Sequence, residues 1–159
     1  MKKLPDFLDA LARENKITKT VDSTSSFGFK IGNKILGGTD PVFIAGPCSV
    51  ENREMLLTSA EQVKLAGCDG LRAGAFKPCT YPVLTEHKGW REGTREYGLD
   101  LFKELKEIMP IDIISEIMSP NQLDISHDAI DIIQVGTRNF QNYTLLDELA
   151  KQNKPVILK

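Results

Sequence analysis

The chain predicts an α/β fold of the (β/α)8 TIM-barrel class, cut off after about the fifth strand. Three observations predict it. Five short apolar segments, at 42–45, 70–73, 112–115, 131–135 and 155–159, alternate strictly with helical segments. Near-continuous Val/Ile/Leu runs are the pattern of parallel strands covered on both faces. A complete barrel of this class takes eight units and about 250 residues, whereas this chain has 159. The expected division is 1–40, an N-terminal helix and β-hairpin capping the barrel, and 41–159, the first half of the barrel.

Element by element, Leu4, Phe7, Leu8 and Leu11 fall at helical spacing and predict a short amphipathic helix. Phe27-Gly28-Phe29-Lys30-Ile31 alternates, Gly32-Asn33 signals a turn and Lys34-Ile35-Leu36 follows, which predicts a hairpin plugging the N-terminal mouth. Pro41-Val42-Phe43-Ile44-Ala45 is the first barrel strand and runs into Gly46-Pro47-Cys48-Ser49. A helix over 53–66 stops at Gly67. Strand 70–73 leads into Gly74-Ala75-Phe76-Lys77-Pro78-Cys79-Thr80 and a loop over 81–94. A helix over 95–108 buries a stripe of Leu99, Phe102, Leu105 and Ile108. Strand 111–115 closes on Glu116, and Ser119-Pro120 opens a short helix, since Pro is favoured in a first helical turn. Strand 131–135 ends in Gly136-Thr137-Arg138-Asn139, a helix covers 143–152, and Pro155-Val156-Ile157-Leu158-Lys159 is the last strand.

Composition narrows the function classes. The chain is 41% hydrophobic and 26% charged, with net charge −2. A weakly negative chain is a poor general binder of nucleic acid or anionic membranes. No run approaches the roughly 18 apolar residues of a membrane span, and no long apolar stretch follows Met1-Lys2-Lys3 as in a signal peptide. Three cysteines, Cys48, Cys68 and Cys79, lack a metal-binding repeat and fit a reducing cytoplasm.

The residues that carry chemistry share one place. Active sites of this fold sit at the C-terminal ends of the strands. Cys48 follows the first strand, Arg72 and Lys77 flank the end of the second, Glu116 closes the third, Thr137 and Arg138 follow the fourth and Lys159 closes the fifth. Four cations at one mouth call for an anionic ligand, and Arg captures phosphate or carboxylate bidentately. This points to a phosphorylated or carboxylated small molecule without naming the reaction.

Four motifs sharpen the reading: Gly46-Pro47-Cys48-Ser49-Val50-Glu51, Arg72-Ala73-Gly74-Ala75-Phe76-Lys77-Pro78-x-Thr80, Gln134-Val135-Gly136-Thr137-Arg138-Asn139-Phe140-Gln141-Asn142 and Lys154-Pro155-Val156-Ile157-Leu158-Lys159. In this order and spacing they resemble 3-deoxy-D-arabino-heptulosonate 7-phosphate (DAHP) synthase, in the short type related to 3-deoxy-D-manno-octulosonate 8-phosphate synthase. The resemblance covers about residues 28–159. The Lys-Pro-x-Thr step favours the heptulosonate enzyme.

The resemblance implies a transferase that condenses phosphoenolpyruvate with erythrose 4-phosphate and releases phosphate, at the entry to aromatic amino-acid biosynthesis (the shikimate pathway). It implies a divalent metal (Mn, Fe, Zn or Co) that polarises the aldehyde, a cytoplasmic enzyme and a homo-oligomer. By motif position Cys48 is a metal ligand. Arg72 and Lys77 hold phosphoenolpyruvate, with Lys77 also placed for proton transfer. Arg138 and Lys159 grip its phosphate, beside Thr137. Glu116 orients a water or the substrate, and Thr80 helps bind the aldose phosphate.

Three departures stand out. The family's other metal ligands, a His, a Glu and an Asp on later strands, have no counterpart here; His87 and His127 do not match the His and read as a loop residue and a helix-end residue. Cys79 stands where the family has an Arg for the aldose phosphate, a loss of about 1.5–3 kcal/mol of charge-assisted contact. The 81–94 loop is long and charged, so Lys88 or Arg91 is a candidate replacement, while Trp90 reads as a packing anchor. Cys68 reads as a small core residue. Cys48 and Cys79 end neighbouring strands and would pair under oxidation if their Cα atoms lie within about 7 Å. Two other functions compete: a non-catalytic barrel fragment that binds small anions, inactive on its own, and a related phosphoenolpyruvate-using 3-deoxy-sugar-phosphate synthase.

Overall fold

A computed structural model describes residues 28–77 and 93–159. The expected N-terminal helix, together with Thr80, Cys79, His87, Lys88, Trp90 and Arg91, lies outside the described residues. An antiparallel hairpin comes first, β1 (Phe29–Ile31) and β2 (Lys34–Leu36), with Phe29 opposite Leu36 and Ile31 opposite Lys34. Its two-residue turn works because Gly32 takes φ +56, which side-chain-bearing residues rarely adopt.

Five parallel strands follow: β3 (Ile44–Ala45), β4 (Gly70–Arg72), β5 (Asp112–Glu116), β6 (Ile132–Val135) and β7 (Val156–Leu158). They pair in chain order, each with the next, so β3 and β7 are the sheet edges. The connections are the helices α1 (Arg53–Leu65), α2 (Glu96–Ile108), α3 (Pro120–Ser126) and α4 (Tyr143–Leu149). This is the expected β/α alternation of a barrel. A parallel pair needs such a crossover, because a tight turn cannot return the chain in the same direction.

The alternation of side chains along the strands sorts the residues onto two faces. Leu71, Ala73, Ile113, Ile133 and Val135 pack on the helix side, against Leu56 and Val63 of α1, Leu99, Phe102 and Leu105 of α2, and Leu145 and Leu149 of α4. Ile114 and Ile132 point to the opposite face and meet Ile31 of the hairpin, joined by Ile44 and Ile157. The hairpin thus covers the lower part of the inner face.

Helix boundaries follow from local chemistry. Asn52 caps α1, its Oδ1 accepting from the Met55 N–H at 2.9 Å. Gly67, at φ +74, ends the turn behind α1, as its position predicts. Asn142 caps α4 in the same way, Oδ1 accepting from the Leu145 N–H.

The structure corrects several boundaries. The first barrel strand is two residues long, and Phe43 is 56% exposed. Helix α4 ends at Leu149 rather than 152. Ile108 was expected in the α2 stripe but is 55% exposed, and Leu101 is buried instead. The 3.6-residue period drifts, so the last turn of α2 rotates its apolar residue away from the sheet. Cys68, by contrast, packs against the main core as expected.

Three aspartates at the starts of successive strands tie this end together. Asp69 accepts from the Phe43 N–H at 2.8 Å and from Lys34 Nζ at 3.1 Å. Asp112 accepts from the Gly32 N–H at 2.6 Å, fastening the hairpin turn to β5. Asp131 accepts from the Ile113 N–H at 2.8 Å and pairs with Lys106 at 2.6 Å.

Two outcomes follow from this packing. The Phe43 N–H, and after it Lys34, holds the Asp69 carboxyl below its ordinary value. Its stabilisation is then fully present above the unfolded-state value of about 3.9 and is lost as pH falls through the lower folded value. Thermal melts across this acid range should fall steeply for the native chain and more gently for Asp69→Asn; parallel acid limbs would refute the assignment. Ile31→Ala should cost about 2–5 kcal/mol in denaturant unfolding, as for other buried Ile truncations, if the hairpin is integral to the fold.

Candidate functional site

The inner face turns polar toward the C-terminal ends of the strands. Arg72 lies beyond Gly70 on β4, Glu116 beyond Ile114 on β5, Gln134 beyond Ile132 on β6, and Lys159 beyond Ile157 after β7, each by two residues. A spacing of two keeps each of these on the face of its apolar predecessor. They line a cavity of about 200 Å3 together with Cys48, Lys77, Gly136, Thr137 and Arg138. Every described residue expected at the site therefore reaches one pocket.

Main-chain bonds place the loops that carry these side chains. The Ala73 N–H donates to Ile114 O at 3.0 Å, and the Ala75 N–H to Ser115 Oγ at 3.3 Å, pinning the loop after β4 to β5. The Val50 N–H donates to Gly74 O at 2.8 Å, drawing the Cys48 loop against it. Phe76 is 2% exposed and anchors the segment just before Lys77. After β6, Thr137–Asn139 form a single 3-10 turn closed by the Asn139 N–H on Gly136 O, which presents Thr137 and Arg138. The Lys159 N–H donates to Val135 O at 3.0 Å, setting Lys159 beside the end of β6.

The polar groups form one connected chain. Arg72 Nη1 donates to the main-chain oxygens of Cys48 at 3.0 Å and Pro47 at 3.4 Å. Arg72 Nε donates to Gln134 Oε1 at 3.3 Å, and Gln134 Nε2 donates to Glu116 Oε2 at 3.2 Å. Arg72 Nη2 and Glu116 Oε2 stand 3.9 Å apart, beyond a direct hydrogen bond. No buried side-chain polar atom among the described residues lacks a partner.

Cys48 is exposed at the mouth. Desolvation, the largest single influence, raises its pKa. The hydrogen bonds and charges of Lys77 and Arg72 together outweigh it and hold the thiol below its ordinary value. A thiol biased toward thiolate suits a metal ligand. Among the described residues no three His, Cys, Asp or Glu side chains gather as a metal site. Cys48 thus fits as one ligand of a metal, and the described donors do not by themselves complete its shell. His127 pairs with the neighbouring Asp128, exposed at the end of α3, outside the pocket.

Gln134 and Gly136 were not anticipated as site residues. The period-two pattern through Ile132, Gln134 and Gly136 was the available signal, with a polar residue inside an otherwise apolar strand. Gly136 has a steric role: a Cβ there would collide with the Glu116 carboxylate.

Residues 16–159 match the model of the DAHP synthetase I family. Phospho-2-dehydro-3-deoxyheptonate aldolase of Thermotoga maritima is 37% identical over 129 residues, 81% of this chain and 36% of that protein. 2-dehydro-3-deoxyphosphooctonate aldolase of Geobacter sulfurreducens is 30% identical over 132 residues, 81% of this chain and 48% of that protein. The crystal structure of the Thermotoga maritima enzyme superposes with a TM-score of 0.72 at 34% identity, over 84% of this chain and 37% of that one. The chain thus spans between a third and a half of the length of these relatives.

Gly136→Ala should force Glu116 out of its place and cost about 1–3 kcal/mol, the usual range for overpacking. Denaturant midpoints measure this, and an unchanged midpoint would mean that Glu116 yields freely.

Proposed function

Because the chain belongs to the DAHP synthetase I family, we propose that its described residues form the phosphoenolpyruvate side of a site that condenses this substrate with erythrose 4-phosphate. The observation that carries the proposal is the convergence of Arg72, Lys77, Arg138 and Lys159 on one pocket beside Glu116 and Cys48. Phosphoenolpyruvate bears a carboxylate at one end and a phosphate at the other. Arg72 and Lys77, on β4 and its loop, suit the carboxylate and enol carbon, while Arg138, Thr137 and Lys159, around β6 and β7, suit the phosphate. Each charge-assisted contact is worth about 1.5–3 kcal/mol.

Lys77 is the proton carrier of this reading: as the enol carbon bonds the aldehyde carbon, the carbonyl oxygen takes up the electron pair, and an ammonium, which can only donate, gives it the proton that makes a hydroxyl. Glu116, 8% exposed, orients the substrate or a water. A divalent metal (Mn, Fe, Zn or Co), when bound, would supply Lewis-acid polarisation of the aldehyde, and Cys48 is the described residue that would hold it. Thr80 belongs to the aldose-phosphate side, outside the described residues. In this reading the hairpin within residues 28–40 caps the barrel end, and 41–159 belong to its first half. The working context is a homo-oligomer in the cytoplasm; no helix among the described residues is long and apolar enough to cross a membrane.

A second reading has the same residues bind the anion without turning it over.

Calorimetry separates these possibilities from an unrelated role. Phosphoenolpyruvate should bind weakly but measurably, and Arg138→Ala should weaken binding by roughly 10- to 150-fold, the equivalent of one lost charged contact. Equal affinity of the variant would make Arg138 structural. Phosphate release from phosphoenolpyruvate and erythrose 4-phosphate with added Mn or Zn then tests turnover, which should be absent for residues 1–159 alone. Rates near one per second or above, ordinary for enzymes, would show that the chain assembles a complete site.

A further inference from the structure

We propose that Gln134 is a positioning residue that keeps Arg72 available to an anionic ligand by standing between it and Glu116. The inference rests on the anion-site reading above and assigns a role to a side chain that reading leaves without one.

Gln134 is 5% exposed and Glu116 8%, so both sit largely away from water. A guanidinium and a carboxylate brought together in such a place close to about 2.7–2.9 Å and pair through two parallel bonds. Here Arg72 Nη2 and Glu116 Oε2 stay 3.9 Å apart. The Gln134 amide fills the gap, taking Arg72 Nε at 3.3 Å on its oxygen and giving its nitrogen to Glu116 at 3.2 Å. Only one orientation of the amide works, because a guanidinium only donates and a carboxylate only accepts.

Glutamine is suited to this task in a way its nearest isosteres are not. Glutamate at 134 has acceptors alone; it would hold Arg72 with a full charge and repel Glu116. Methionine at 134 has neither, and the buried carboxylate, deprived of its donor, would be driven onto Arg72. Either change consumes the guanidinium in an internal ion pair. Arg72 also holds the Cys48 and Pro47 carbonyls through Nη1, so its placement sets the loop after β3 as well.

The test reads Arg72 directly. Phenylglyoxal modifies accessible guanidinium groups, and peptide mass spectrometry gives the rate at each arginine. In Gln134→Met and in Gln134→Glu the rate at Arg72 should fall by about tenfold, the size of one net charged contact, while Arg138 serves as the internal control. In Gln134→Met combined with Glu116→Gln the carboxylate is gone, and the Arg72 rate should recover. A merely structural role for Gln134 predicts no such rescue. Phosphoenolpyruvate affinity should fall in both single variants. An unchanged Arg72 rate in both single variants, or no recovery in the double variant, overturns the inference. Should the native chain fail to bind phosphoenolpyruvate while the Arg72 pattern holds, the substrate assignment fails and the spacer role stands.

Discussion

The rest of this structure depends on the side-chain parity of five parallel strands held in fixed register. A strand points successive residues to opposite faces, and a slip of one would exchange them all. Here the pairing sets Arg72 beside Ile114, Ile114 beside Ile132, and Glu116 beside Gln134. One parity buries Leu71, Ile113, Ile133 and Val135 under the helices. The other carries the apolar residues Ile44, Ile114, Ile132 and Ile157, and two residues beyond the last three stand Glu116, Gln134 and Lys159 of the pocket. The hydrophobic requirement on one face therefore fixes where the charged residues of the other must stand.

The two ends of the sheet solve different problems. At the N-terminal end the hairpin supplies Ile31 to the apolar level, and the aspartates at 69, 112 and 131 satisfy main-chain N–H groups that the short strands leave unpaired. That end is built for cohesion. At the C-terminal end cations outnumber anions, and Glu116 is the carboxylate lining the pocket. A surplus of positive charge in a partly dry recess costs stability unless an anion relieves it.

Much of this was legible in the residues. The β/α alternation, the hairpin turn at Gly32-Asn33 and the strand-end placement of Cys48, Arg72, Lys77, Glu116, Arg138 and Lys159 all follow from period, turn chemistry and the polarity of parallel strands. Other parts were not. Gln134 lies in Ile132-Ile133-Gln134-Val135, where a single polar residue gives no hint of its partners until β4 and β5 are beside it. The three aspartates look like ordinary loop charges, because what they bond is main chain from a neighbouring unit remote in sequence. Ile108 falls outside the buried stripe because strict every-third spacing turns about 60° short of a full revolution at each step, so by the third step from Leu99 it has reached the opposite side of the helix. In each case the missing information was three-dimensional adjacency rather than local preference.

The stitching of the strand ends has a further consequence. Ala73 to Ile114, Val50 to Gly74, Arg95 to Ala75 and Lys159 to Val135 are all bonds between main-chain atoms. Such bonds survive when side chains are exchanged. A scaffold held this way allows the groups around its mouth to vary in charge and length while the frame beneath them stays put, with Gly136 as a fixed point.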